Sequence, residues 1–167
     1  MSTPAKTHRP TPGQTVGPFF AYGLEFPKQH EVAFPHSPGA IVLGGTVYDG
    51  AGAPIPDALV EIFGADADGA VPRLQLGVEL RRHPREPGGI GGSAAFFAAI
   101  VFARGLPNKL HTRIYVPGDD AALAADPLLS SLDAEERASL VATRTPDGHL
   151  HHDIRLQGEK ETVFLAF

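Results

Sequence analysis

An all-β sandwich is the fold class this sequence predicts, on three observations. Its apolar and β-branched runs are short, turn residues separate them at close intervals, and several runs alternate with period two. Glycine (19) and proline (16) are spread as punctuation rather than gathered into a repeat. At 167 residues the chain has the length of one domain with a real core, and an apolar content of 43% argues against a disordered polymer. With no cysteine, a disulfide framework, a thiolate metal site and a thiol nucleophile are all excluded. The formal charge of −5, without a basic stripe, argues against nucleic acid as a partner. The opening MSTPAKTHRPTPG lacks the apolar core of a signal peptide, and no run approaches the roughly eighteen apolar residues of a membrane span. The expectation is a soluble, cytoplasmic protein.

Residues 1–40 carry Pro10, Pro12, Pro18, Pro27, Pro35 and Pro38, a density that sustains neither a helix nor a central strand. This segment is expected to run as an extended arm, with Phe19, Phe20, Tyr22, Phe26 and Phe34 as apolar anchors. Lacing a partner and folding back on its own domain are equally open. Residues 41–167 form the sandwich. IVLGGTVYDGAGAPIPDALVEIFGADADG predicts an opening hairpin: a strand over 41–48, a turn at Asp49–Gly52, a second strand over 58–63 and a closing turn at Asp66–Gly69. Residues 71–93, with four arginines, three prolines and five glycines, have little period and are assigned mostly to loop. AAFFAAIVFARGL and KLHTRIYV are a strand pair joined through Gly105–Leu106–Pro107–Asn108. Asp119 or Asp120 caps a short helix over about 120–125. Asp133 and Glu136 make a capping-box start for a helix over about 134–143. After the TPDG turn come two last strands, 149–156 and 162–167.

The stretch GHLHHDIRLQG raises the question of a metal, since neutral imidazole and carboxylate are ligands for iron, zinc or copper. On a strand, His149, His151 and Asp153 share one face, while His152, Ile154 and Leu156 share the other. The apolar pair marks the second face as core. That leaves the first face toward water or a partner, with no tyrosine or glutamate nearby to complete a ligand set. His8, His30, His36, His83 and His111 are scattered and read as structural.

Four segments together resemble the intradiol ring-cleaving dioxygenases: TPGQTVGPFFAYGL, LGGTVYDGAGAPIPDALVEIFGADADG, VFARGLPNKLHTRIY and DIRLQGEKETVFLAF. The first and last are similar to the alpha chain of those members that are built from two kinds of chain. The resemblance implies a β-sandwich of the intradiol dioxygenase type, paired with a beta chain in αβ protomers of a larger hetero-oligomer. It implies insertion of both atoms of O₂ into protocatechuate, giving 3-carboxy-cis,cis-muconate. It also implies a non-haem Fe(III) held by two tyrosinates and two histidines of the beta chain, with no metal bound by the alpha chain. Aligning VFARG on the family pattern puts the His-x-His positions at Phe96 and Ala98, and no tyrosine occurs between Tyr48 and Tyr115. Carried over by motif, the alpha chain's contributions to the substrate pocket are Thr15, Val16, Gly17, Pro18 and Phe19 of the arm, and Arg104 of FARG. Members of the family carry a longer segment between the DADG turn and the FARG strand than this chain does. The alternative from another class is a transthyretin-like or regulatory β-sandwich, sharing only the opening motif and acting in binding or assembly. A further one is a stand-alone metalloenzyme using His149 or His151.

Overall fold

The structure is a computed structural model that describes residues 11–17, 19–24, 27–30, 41–64, 75–77 and 93–166. Its strands are β1 (Leu43–Gly44), β2 (Val47–Tyr48), β3 (Leu59–Phe63), β4 (Gln75–Gly77), β5 (Phe96–Phe102) and β6 (Leu110–Tyr115), followed after three helices by β7 (Thr143–Arg144), β8 (Leu150–His151) and β9 (Ile154–Arg155). One layer is the antiparallel sheet β4-β3-β5-β6. The facing layer holds β1-β8-β7 and β2-β9, with β1 and β2 parallel to β8 and β9. Leu43, Val47, Leu150 and Ile154 from this layer meet Val60, Phe97, Ala99, Val101 and Ile114 from the other in one buried core. This is the sandwich the sequence predicts.

β5 shows how alternation becomes a layer. Phe97, Ala99 and Val101 are buried toward the core, whereas Phe96, Ala98, Ile100 and Phe102 lie half-buried on the opposite face. β5 pairs with β6 in the expected hairpin, Phe96 facing Tyr115 and Val101 facing Leu110.

The opening segment is not a hairpin. β1 and β2 pair with β8 and β9, while β3 pairs with β4 and β5, so the chain crosses between layers at residues 49–58. Pro54 makes an isolated antiparallel bridge to Tyr48, but neither Pro54 nor Pro56 can donate to extend it into a ladder. The crossing is fixed instead by Ile55 N donating to Val47 O (2.9 Å) and Ala58 N to Ile55 O (3.3 Å).

The single strand expected over 149–156 is two short ones, and its contacts with the distant 42–48 segment are the cause. Leu150, His152, Ile154 and Leu156 donate in turn to Val42, Gly44, Thr46 and Tyr48 carbonyls. The reciprocal bonds are partly taken by side chains: Val42 N donates to His149 Nδ1 (3.2 Å) and Thr46 N to Asp153 Oδ1 (2.9 Å). Side chains thus stand in for backbone acceptors.

The expected strand at 162–167 is also absent among the described residues, which end at Ala166. The tail is held by hydroxyls: Arg155 N donates to Thr162 Oγ1, Val163 N to Ser139 Oγ, and Thr112 Oγ1 to Val163 O. Only Leu165 makes a bridge, to His111. Within 71–93, β4 is a short edge strand; residues 71–74 and 78–92 lie outside the described set.

Helix α1 (Asp120–Ala125) is capped by Asp119, and α3 (Ala134–Ala138) opens on the full capping box of Asp133 and Glu136. α3 stops before residue 143 because its continuation is recruited by β6: Tyr115 N donates to Leu140 O (2.8 Å) and Ala142 N to Tyr115 O (3.0 Å). Helix α2 (Pro127–Ser130) was not expected, yet its signal is present in Asp126–Pro127, an N-cap followed by proline in the first turn.

Candidate functional site

The chain leaves β5 through Ala103–Arg104–Gly105–Leu106, where Leu106 N donates to Ala103 O (3.2 Å). Gly105 has φ +92°, the left-handed conformation that the third position of a type II turn requires. Buried Ala103 anchors the turn and Arg104 stands half-exposed at its outer corner. Here the arm returns to the domain. Gly105 N donates to Thr15 Oγ1 at 2.7 Å, across a separation of 90 residues. Val16 and Gln14 line a small cleft with Phe102, Leu106, Pro107, Asn108 and Lys109. Thr15 is therefore bonded to the residue that follows Arg104, and Val16 lines the adjacent cleft. Gly17 is exposed, with open space where a side chain would project, and its carbonyl accepts from Phe20 N (3.1 Å). Phe19 is 75% exposed and its ring lies 5.9 Å from that of Tyr22, itself 76% exposed. Pro18 lies outside the described residues. Residues 14–16 lie against the 102–109 turn of their own domain.

Sequence reasoning missed one partner here. Asp57, in the layer crossing, places Oδ1 3.1 Å from Arg104 Nε. The contact is an ion pair without an aligned N–H, and Oδ1 is otherwise buried with no hydrogen bond. The readable signal was Pro56–Asp57, a turn that fixes a carboxylate just before a strand.

Donor chemistry tests whether this chain could itself hold a ferric ion. Phe96 and Ala98 lie on the outer face of β5 and carry no donor atom. Phe96 is covered by the Arg113 guanidinium, 4.2 Å above its ring. Tyr115, directly opposite Phe96, donates its hydroxyl to Asp126 Oδ1 (2.9 Å). Burial raises its pKa to about 12, with the Asp126 carboxylate adding to the rise against the opposing effect of Arg113, so a tyrosinate is disfavoured there. The residues do not fit the ion.

The histidine-rich stretch is committed elsewhere. His149 accepts from Val42 N, and His151 Nε2 lies 3.1 Å from Asp153 Oδ1. Among the described residues no group of three His, Cys, Asp or Glu is gathered as a metal site. His152 points into the core, 5% exposed, with Nε2 unpartnered. Burial pushes its pKa down to about 4; the His151 charge adds to this, while Asp153 and the Val141 backbone oppose it.

The pH dependence has a definite sign. Above the ordinary value of 6.5 both folded and unfolded chains hold His152 neutral. Below it the unfolded chain takes up a proton that the folded one refuses until about pH 4. Stability is expected to fall by about 3 kcal/mol as pH drops from 7.5 to 4 through this group alone. Urea unfolding of wild type and His152→Gln across that window measures it: the variant should lose less stability by about that amount, and parallel curves would exclude His152 as the cause.

Comparison with known proteins is informative once this geometry is in view. No protein-family model matches the chain. The fold is that of the intradiol dioxygenases. The dioxygenase domain of a carbohydrate-binding fusion from Streptomyces sp. SirexAA-E aligns with a TM-score of 0.53 at 23% identity, over 88% of this chain and 96% of that one. An intradiol ring-cleavage dioxygenase from Tetranychus urticae aligns at 0.51 and 13% identity, over 75% and 83%. In sequence, the protocatechuate 3,4-dioxygenase alpha chain of Burkholderia cepacia is 34% identical over 95% of this chain and 98% of its own length. That of Pseudomonas putida is 32% identical over 94% and 96%. The chain belongs to the family of protocatechuate 3,4-dioxygenase alpha chains. A module sharing only the opening motif would not align from arm to tail, which removes the regulatory-sandwich alternative.

Proposed function

We propose that this chain is the iron-free subunit of a protocatechuate 3,4-dioxygenase, completing the substrate pocket of a beta chain that carries the non-haem Fe(III). Two things support this reading: the alpha-chain relatives that match almost the whole sequence, and donor-free side chains at Phe96 and Ala98. The observation that carries the chain's own part is the 2.7 Å bond from Gly105 N to Thr15 Oγ1, which sets the arm beside Arg104. Thr15, Val16, Gly17, Pro18 and Phe19 would then border the flat aromatic ring. Gly17 lets backbone come close to that ring, and Pro18 stiffens the approach. Arg104 would take the substrate's carboxylate. The ring-opening chemistry belongs to the iron; this chain binds and orients. Domain organisation follows the same reading, with 1–40 as an arm reaching the shared pocket and 41–167 as the sandwich. No helix among the described residues is long and apolar enough to cross a membrane, and the two-chain enzyme is proposed to be cytoplasmic.

A charge-assisted hydrogen bond contributes roughly 1.5–3 kcal/mol net, and a half-exposed arginine falls at the low end. Arg104→Ala in the αβ complex is therefore expected to raise KM about tenfold for protocatechuate and little for catechol, which lacks the carboxylate. Co-expression with a beta chain, followed by gel filtration, iron analysis and O₂ uptake, tests the whole. The complex should contain iron and cleave protocatechuate, and the single chain should do neither. Stoichiometric iron in the single chain would reject the division of labour, and equal losses for the two substrates would remove Arg104 from the pocket.

A further inference from the structure

We infer that Asp57 is a positioning residue, one that holds Arg104 by its Nε and leaves the outer edge of the guanidinium to meet a substrate carboxylate. The inference rests on the role proposed for Arg104 above and adds a residue which the resemblance did not supply. Three observations carry it.

The first is which atom is held. Asp57 Oδ1 approaches Nε at 3.1 Å, and the guanidinium carries two terminal nitrogens beyond it. Those nitrogens are the planar fork that binds a carboxylate with two parallel bonds.

The second is the asymmetry of burial. The Arg104 side chain is 51% exposed but that of Asp57 only 16%, and Oδ1 is shut off from water. An ordinary surface ion pair keeps both partners hydrated and contributes little. Here the carboxylate oxygen is buried without an aligned hydrogen bond, an arrangement that costs stability unless a cation stays beside it. That cost tethers the arginine.

The third is the stiffness of the mount. Asp57 sits in the turn Ile55–Pro56–Asp57–Ala58, closed by Ala58 N donating to Ile55 O, with proline at its second position. Ile55 N is bonded to Val47 O, and Ala58 and Leu59 are buried. On the other side, the Gly105 bond to Thr15 holds the turn that carries Arg104. Side chain and backbone of this arginine are thus fixed from opposite directions.

Removing Asp57 has two opposed effects. It frees a long side chain to wander, weakening carboxylate binding, and it removes a negative charge, strengthening it. Arg104 is half in water, where the second effect is screened, so the first should dominate. Expected in the αβ holoenzyme is a rise in protocatechuate KM of roughly threefold to tenfold for Asp57→Ala, confined to the carboxylated substrate. Asp57→Asn keeps an oxygen near Nε but not the charge that tethers it, and should recover only a small part of the loss. Asp57→Glu keeps the charge but overreaches by a methylene and should behave like Asp57→Ala, which also covers the case in which the alanine variant fails to assemble. A lowered or unchanged KM in Asp57→Ala and Asp57→Glu, or equal rises for catechol, overturns the inference. Arg104→Ala, measured alongside, separates the two levels. If it is selective and the Asp57 variants are not, only the positioning role falls; if Arg104→Ala is itself unselective, the reading beneath falls as well.

Discussion

Asp126→Ala is expected to lower folding stability by about 3–5 kcal/mol, enough to unfold a marginal domain. The carboxylate is fully buried, and it both caps its own helix and ties that helix to two other parts of the chain. Oδ1 accepts from the N–H groups of Leu128 (2.9 Å) and Leu129 (3.0 Å), capping α2, and from the Tyr115 hydroxyl (2.9 Å) at the end of β6. Oδ2 accepts from Ala94 N (3.0 Å), just before β5. Arg113 in turn donates to the Tyr115 hydroxyl (3.1 Å) while covering Phe96. Alanine would leave three backbone donors and a phenol buried without acceptors. Asp126→Asn should be milder but still costly, because its NH₂ group would face one of those donors. Urea unfolding at pH 7 measures both, and a loss under about 1 kcal/mol for the alanine variant would contradict the geometry.

The same site gives a second acid step, distinct from that of His152. Burial alone would raise the pKa of Asp126. Bonds from Leu129 N, the Tyr115 hydroxyl, Ala94 N and Leu128 N outweigh it, and the carboxyl is held below its ordinary 3.8. Its contribution is fully present above that ordinary value and disappears as pH falls through the depressed one. The His152 loss has by then already occurred, since it spans the interval from 6.5 down to about 4.

What could be read from the sequence follows from the range of the forces involved. The alternation in β5, the 105–108 connection and the Asp133–Glu136 capping box are local patterns, and the structure has all three. Failures occur where distant groups decide. Asp153 takes the amide of Thr46, 107 residues away, and splits a strand that periodicity would have kept whole. Ser139 Oγ and Thr162 Oγ1 hold the tail where a ladder was expected. The crossing at 49–58 had its warning in Pro54 and Pro56, but which layer each strand joins is set by core packing rather than by the turn. The site divides in the same way. Arg104 and the arm residues were named only through the resemblance to a family. Their contact through Thr15, and the hold of Asp57 on Arg104, belong to the folded chain alone.

Gly45→Ala should be the most damaging single methyl addition in the described chain, at about 3 kcal/mol. A Cβ at Gly45 would fall 1.8 Å from the His152 carbonyl oxygen and 2.7 Å from its carbon. Those are backbone atoms held by the parallel pairing of β1 and β2 with β8 and β9, so relief requires the two segments to part. Gly44 supplies the control: nothing lies within 4 Å of its Cβ position, and its φ is not in the left-handed region. Gly44→Ala should therefore shift the melting midpoint little, while Gly45→Ala lowers it by roughly 10 °C. Equal shifts would mean that the close approach is not real. The clash has a second consequence, because the carbonyl it meets belongs to the residue whose imidazole is the buried neutral group. Parting the segments would let water reach His152 and move its pKa from about 4 back toward 6.5. Gly45→Ala should thus lose stability and flatten the slope of stability against pH between those values, a pairing that Gly44→Ala, with open space at its Cβ, should not reproduce.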